Sequence, residues 1–230
     1  MFQPLVLVPG LRCDAYLWHA VIERLDERVA PVVADVSRDD SVAGMAARIL
    51  AAAPPRFALA GLSMGGYVVL EIIRQAPERV THLALLDTNA RPDSEERKTA
   101  RRTEMELVRQ GKSALVSRMG LPNLLAPIHL DSAIAEAVHA MTLRVESEVY
   151  LRQQNAIMTR IDSRPFLGQI AVPTLVGVGA EDKLIPPELS EEMAAMIPEA
   201  KLAIFANAGH IPTLEAPQAV ATAMREWLAR

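Results

Sequence analysis

The chain has 230 residues, half of them hydrophobic and 23% charged, with a formal net charge of −4. That length suits one well-packed domain and falls short of two comfortable ones. The acidic balance argues against nucleic acid or an anionic membrane surface as a partner, and the single cysteine, Cys13, excludes an intramolecular disulfide and fits a reducing, cytoplasmic setting.

The first residues, Met1-Phe2-Gln3-Pro4, carry no basic segment and lead into a short apolar run at 5–8. No secretory signal is expected, and no apolar stretch approaches the ~18 residues of a membrane span. Residues 5–8 read as a buried strand, followed by a helical pattern at 16–25 and a second strand at 31–36. A helix at 41–52 is opened by Ser41, whose hydroxyl can accept a free first-turn N–H. Residues 57–62 form the next apolar strand, 64–75 a helix and 83–87 a strand. From 89 to 164 the text is helical and rich in Arg and Glu, with no convincing strand. A structureless loop of that length is implausible, so this stretch is expected to be a helical cap inserted between core segments 1–88 and 165–230. The alternation then resumes with a strand at 174–179, a helix at 187–196, a strand at 202–205 and a last helix at 217–228 with Pro217 in its first turn. Strand–helix alternation predicts an α/β fold, a doubly wound, mostly parallel sheet of about six strands with helices on both faces. Reactive groups in such sheets gather beyond the C-terminal strand ends.

The strongest motif sits at one of those ends. Gly61-Leu62-Ser63-Met64-Gly65-Gly66 is a G-x-S-x-G pattern between a strand and a helix. A strand that becomes a helix within one or two residues strains its apex residue and lifts that side chain clear of both elements. The helix N-terminus then aims free N–H groups at whatever bonds to the serine.

With this motif in its strand–turn–helix setting, the chain resembles the α/β-hydrolase family over nearly its whole length. The resemblance implies a nucleophile, then an acid after a late strand, then a histidine after the last one. Gly179-Ala180-Glu181-Asp182-Lys183-Leu184-Ile185-Pro186 and Asn207-Ala208-Gly209-His210 are similar to the family's acid and histidine loops and follow in that order. Ser63 is then the nucleophile, His210 the base that takes its proton, and Asp182 the carboxylate that orients the imidazole. Asp87, at the end of the strand at 83–87, stands where some members carry the acid, and Glu181 adjoins Asp182. The family's oxyanion hole implies backbone N–H donors at Met64, directly after the nucleophile, and at Leu11, in the loop Val8-Pro9-Gly10-Leu11. Many relatives have His-Gly where this chain has Pro9-Gly10.

Other features have plainer readings. Cys13 reads as a small, partly buried residue. Arg97, Lys98, Arg101 and Arg102 alternate with glutamates and read as a solvated helix face. His19, His82, His129 and His139 have no catalytic setting. No close His/Cys pair or H-E-x-x-H pattern points to a metal, and no cofactor is expected. The implied function is a serine esterase acting on a carboxylic ester or related small acyl substrate. An enol-lactone or carbon–carbon bond hydrolase is the alternative on the same fold, and an arginine in the pocket (Arg12, Arg91 or Arg160) would favour it. A small-molecule-binding protein without turnover is the alternative of another class.

Overall fold

The computed structural model describes residues 2–230. In chain order β1 (Gln3–Val8) is followed by α1 (Tyr16–Ile22), β2 (Val29–Val33), α2 (Val42–Ala52), β3 (Phe57–Leu62), α3 (Met64–Gln75) and β4 (Val80–Leu86). Helices α4 (Glu95–Arg109), α5 (Ser113–Leu124), α6 (Ala133–Arg144), α7 (Ser147–Met158) and the short α8 (Arg164–Leu167) come next. The chain closes with β5 (Thr174–Gly179), α9 (Pro187–Met196), β6 (Ala200–Phe205), α10 (Pro212–Glu215) and α11 (Pro217–Leu228). Among the described residues no helix is long and apolar enough to cross a membrane.

All six strands are parallel, in the order β2-β1-β3-β4-β5-β6. Side chains alternate across the sheet, so Leu5 and Leu7 of β1 join Leu17, Trp18 and Trp227 on one face, while Val6 and Val8 join Met45, Val68 and Ile72 on the other. Strands β3 and β5 are buried along their full length, which is why they read as unbroken apolar runs rather than alternating ones.

Several boundaries differ from those expected of the sequence. β2 spans 29–33 rather than 31–36, because its register is dictated by β1, where Gln3 pairs with Val29 and Leu7 with Val33. Pro31 lies inside it and is tolerated because β2 is an edge strand with one neighbour to bond. Helix α1 ends at Ile22 because Arg24 and Leu25 turn back to the carbonyls of Val21 and Ile22 in tight three-residue steps. Ser41 caps α2 as expected, accepting the Gly44 N–H at 3.1 Å.

Strand order reverses between β1 and β3: β2 lies to one side of β1 and every later strand to the other. The loops leaving β1 and β3 therefore lead to helices on opposite faces of the sheet, α1 and α3, the place where such folds gather their sites. The elbow after β3 closes against the β1 loop so tightly that a Cβ at Gly65 would overlap the carbonyl oxygen of Val8. Gly120, inside α5, has nothing nearer its missing Cβ than Leu124 Cδ1 at 3.9 Å. The same substitution is thus expected to have opposite signs at the two sites. Gly65→Ala should destabilise by about 1–3 kcal/mol or more through overpacking, and Gly120→Ala should stabilise by up to ~1 kcal/mol through helix propensity. Thermal unfolding of the two variants checks both, at roughly 2–4 °C per kcal/mol for a chain of this size.

Candidate active site

Ser63 stands between β3 and α3 with φ 56° and ψ −115°, a positive φ that a residue with a Cβ adopts only when its surroundings impose it. Here they do. Its N–H bonds to the Leu86 carbonyl at 3.0 Å, its carbonyl receives the Gly66 N–H at 2.9 Å, and the Thr88 hydroxyl donates to that same carbonyl at 2.8 Å. The side chain is left pointing into a cavity of about 350 Å³.

His210 reaches this serine from the loop between β6 and α10. It is buried at 2% exposure; its Nε2 lies 2.8 Å from Ser63 Oγ and its Nδ1 2.7 Å from Asp182 Oδ2. Asp182, in the loop after β5, uses its other oxygen to accept the N–H groups of Leu184 and Ile185, both at 2.9 Å. Strands β5 and β6 are neighbours and end in register at Gly179 and Phe205, so the acid and histidine loops emerge side by side. The N–H groups of Leu11 and Met64 have no acceptor among the described residues, whereas that of Arg12 is taken by Gln153 Oε1 at 3.0 Å.

This arrangement joins a family match that runs over residues 5–223 to the description "Alpha/beta hydrolase family". The chain belongs to the alpha/beta hydrolase family. It is an enzyme with hydrolase activity. Among its relatives is a pimeloyl-[acyl-carrier protein] methyl ester esterase of Xanthomonas oryzae pv. oryzae, 29% identical over 98% of this chain and 94% of that protein. A thermophilic esterase from Thermogutta terrifontis is 32% identical with a TM-score of 0.85, over 99% of this chain and 89% of that one. The enol-lactonase from Burkholderia xenovorans LB400 superposes with a TM-score of 0.90 over 100% of this chain and 92% of that one, but at 21% identity it shares only the fold.

In this alpha/beta hydrolase the second carboxyl, Asp87, is not remote from Asp182. Ligand atoms of Asp87, Asp182 and His210 all lie within 4.8 Å of one another. Asp87 is fully buried; its Oδ1 accepts the Gly179 N–H at 2.8 Å and its Oδ2 has no partner. Burial, followed by the neighbouring Asp182, holds the Asp87 carboxyl well above the usual carboxylate range. Such surroundings favour the protonated form of Asp87 over its carboxylate. The three residues are a poor cation site, since Asp182 Oδ1 and Asp87 Oδ1 already accept backbone N–H groups and the imidazole sits between Asp182 and Ser63.

Three further groups escape sequence reasoning. Glu215, in α10, accepts the N–H groups of Gly209 and Ile211 on either side of His210 at 3.0 and 3.1 Å, and that of Ala126 at 2.8 Å. It thus ties the histidine loop to the end of α5, where the Leu124 carbonyl also accepts the His210 N–H at 2.9 Å. Gln153 of α7 holds the β1 loop through Arg12 and donates to the Val36 carbonyl at 3.2 Å. Arg101 is not on a solvated face: it bonds Asp93 at 2.6 Å and Gln154 at 2.9 Å and lines the cavity. The Cys13 thiol also lines it, and burial pushes that thiol up to about 12, so it stays protonated. Of the three arginines considered for the pocket, Arg91 pairs with Glu192 at 2.7 Å and Arg160 pairs with Asp93 at 2.8 Å while lying over the Tyr67 ring. Only Arg12 of those three lines the cavity that holds Ser63.

Proposed function

We propose that this hydrolase cleaves a carboxylic ester of a small acyl substrate through a Ser63–His210–Asp182 triad. The observation that carries the reading is the position of His210, whose two ring nitrogens lie within hydrogen-bond reach of Ser63 and Asp182. As Ser63 Oγ attacks the ester carbonyl, its proton passes to His210 Nε2, and Asp182 stabilises the imidazolium through Nδ1–H. The N–H groups of Leu11 and Met64 meet the negative charge that develops on the carbonyl oxygen. His210 returns the proton to the departing alcohol, leaving an acyl-enzyme on Ser63. Water deprotonated by the same base then releases the acid. Helices α4–α7 supply the cavity wall facing Ser63 and act as a cap that shapes acyl preference. The esterases among the relatives support the choice of bond, and the single cysteine suits a reducing, cytoplasmic setting.

Hydrolysis of p-nitrophenyl acetate and p-nitrophenyl octanoate tests this. Turnover of at least one, well above the rate without enzyme, is the expected result, and the ratio of the two describes the depth of the acyl pocket. Arg12 in the cavity favours the enol-lactone or carbon–carbon bond alternative, so an enzyme inert to both esters overturns the simple-ester reading; if it then opens a lactone, the triad stands and the bond changes.

A further inference from the structure

Among the cavity groups that the hydrolytic steps leave unused is Arg12. Arg12 follows the expected oxyanion donor Leu11, adopts φ 56° and is only 5% exposed. A guanidinium has five N–H donors, yet only Nη2 has acceptors here, the Ser113 hydroxyl at 2.5 Å and the Ser113 carbonyl at 3.5 Å. Nε is buried with no partner at all. The side chain lies 4.9 Å from the Tyr150 ring centroid. It has no ion-pair partner among the described residues, whereas Arg101 and Arg160 share Asp93. Glu104, whose field reaches Arg12, accepts its hydrogen bond from the Tyr150 hydroxyl instead, at 3.2 Å. A desolvated cation with idle donors is costly, and this one is locked in place by a backbone bond to Gln153 inside the cavity that holds Ser63.

We propose that Arg12 anchors a carboxylate on the acyl part of the substrate, so that the preferred ester is a half-ester of a dicarboxylic acid. The planar fork of an arginine matches a carboxylate with two parallel hydrogen bonds. Val116, Leu124 and Ile157 line the same cavity and suit the methylenes between the two ends. The proposal rests on the ester reading of Ser63 given above and names its substrate class.

Mono-p-nitrophenyl glutarate and p-nitrophenyl valerate have the same acyl length and differ in the terminal carboxylate. Wild type is expected to favour the acidic ester by about tenfold or more in kcat/KM. Arg12→Asn keeps a residue that tolerates positive φ and should lower that ratio by about 10–100-fold, chiefly through KM of the acidic ester; Arg12→Lys should restore part of it. Equal losses on both esters, or a wild-type preference for valerate, overturn the proposal, because a purely structural arginine does not discriminate them. A second arm needs no turnover: glutarate should raise the Tm of Ser63→Ala but not of the Ser63→Ala, Arg12→Asn double variant. Arg12-dependent stabilisation by glutarate with no hydrolysis of either ester upholds the anchor and removes the ester reading. Equal hydrolysis of both with no effect of glutarate does the reverse.

Discussion

Ser63→Ala is expected to lower kcat for ester hydrolysis by about 10⁴–10⁶-fold, with KM changed little. The substitution removes Oγ, the one atom of the residue that His210 Nε2 contacts at 2.8 Å, and leaves Cβ, so the backbone at φ 56° and ψ −115° carries the same strain as before. Residual activity should come from the free N–H groups of Leu11 and Met64 and from binding alone. Stability should stay near wild type. Ser63→Gly makes the complementary case: it is equally inactive, but it relieves the positive φ and should be the more stable variant, by about 1 kcal/mol. Single-turnover kinetics and thermal unfolding on the three proteins separate the chemical role of the hydroxyl from the strain of the turn. A loss below tenfold in Ser63→Ala would remove Ser63 as nucleophile.

The pair Asp182→Asn and Asp87→Asn should divide just as sharply. Asp182 faces the imidazole at 2.7 Å and accepts two backbone N–H groups, the surroundings of a carboxylate whose charge supports an imidazolium. Its amide variant should lose about 10⁴-fold in kcat. Asp87 has no partner at Oδ2, and burial and Asp182 favour its protonated form, so an asparagine mimics that form: Oδ1 still accepts the Gly179 N–H and Nδ2 can donate towards Asp182. Activity should be kept within a few-fold. Stability should rise. In the unfolded chain this carboxyl ionises near ~3.9, whereas burial and Asp182 raise it well above that in the folded protein. Between those two values the folded state binds more protons than the unfolded one, so the Asp87 contribution to stability falls as pH increases. Asp87→Asn removes that slope. Urea denaturation from pH 4 to pH 8 should show a smaller decline for the variant, with a higher midpoint at neutral pH. A 10⁴-fold loss in Asp87→Asn with Asp182→Asn nearly unaffected would exchange the two carboxyls.

That these two acids need an experiment at all marks how far the residues alone could be read. The elbow is legible because its determinants are local: Gly61, Ser63 and Gly65 lie within five residues, and the apolar run before them and the helix after them are visible in the same window. The two later candidates, Asp182 and His210, follow the strand ends at Gly179 and Phe205, each after a short apolar run, and the family resemblance implies their roles. β2 was harder, because Pro31 inside a strand is permitted only by its edge position, which depends on where β1 and β3 lie.

By itself, then, the sequence determined the parallel α/β layering and the serine turn between a strand and a helix, since each depends on residue types within one element or one turn, while the order of the proposed nucleophile, acid and histidine came from the family resemblance. Tertiary structure alone decided the rest. It brought Asp87 and Asp182 close to one histidine, and burial beside Asp182 raises the Asp87 carboxyl. It turned Arg101 inward, because Asp93 and Gln154 meet it there. It left Arg12 buried and unpaired, held by a glutamine 141 residues away. The charge and exposure of a side chain are properties of its neighbours, and in this fold the neighbours come from helices and loops that no short stretch of sequence contains.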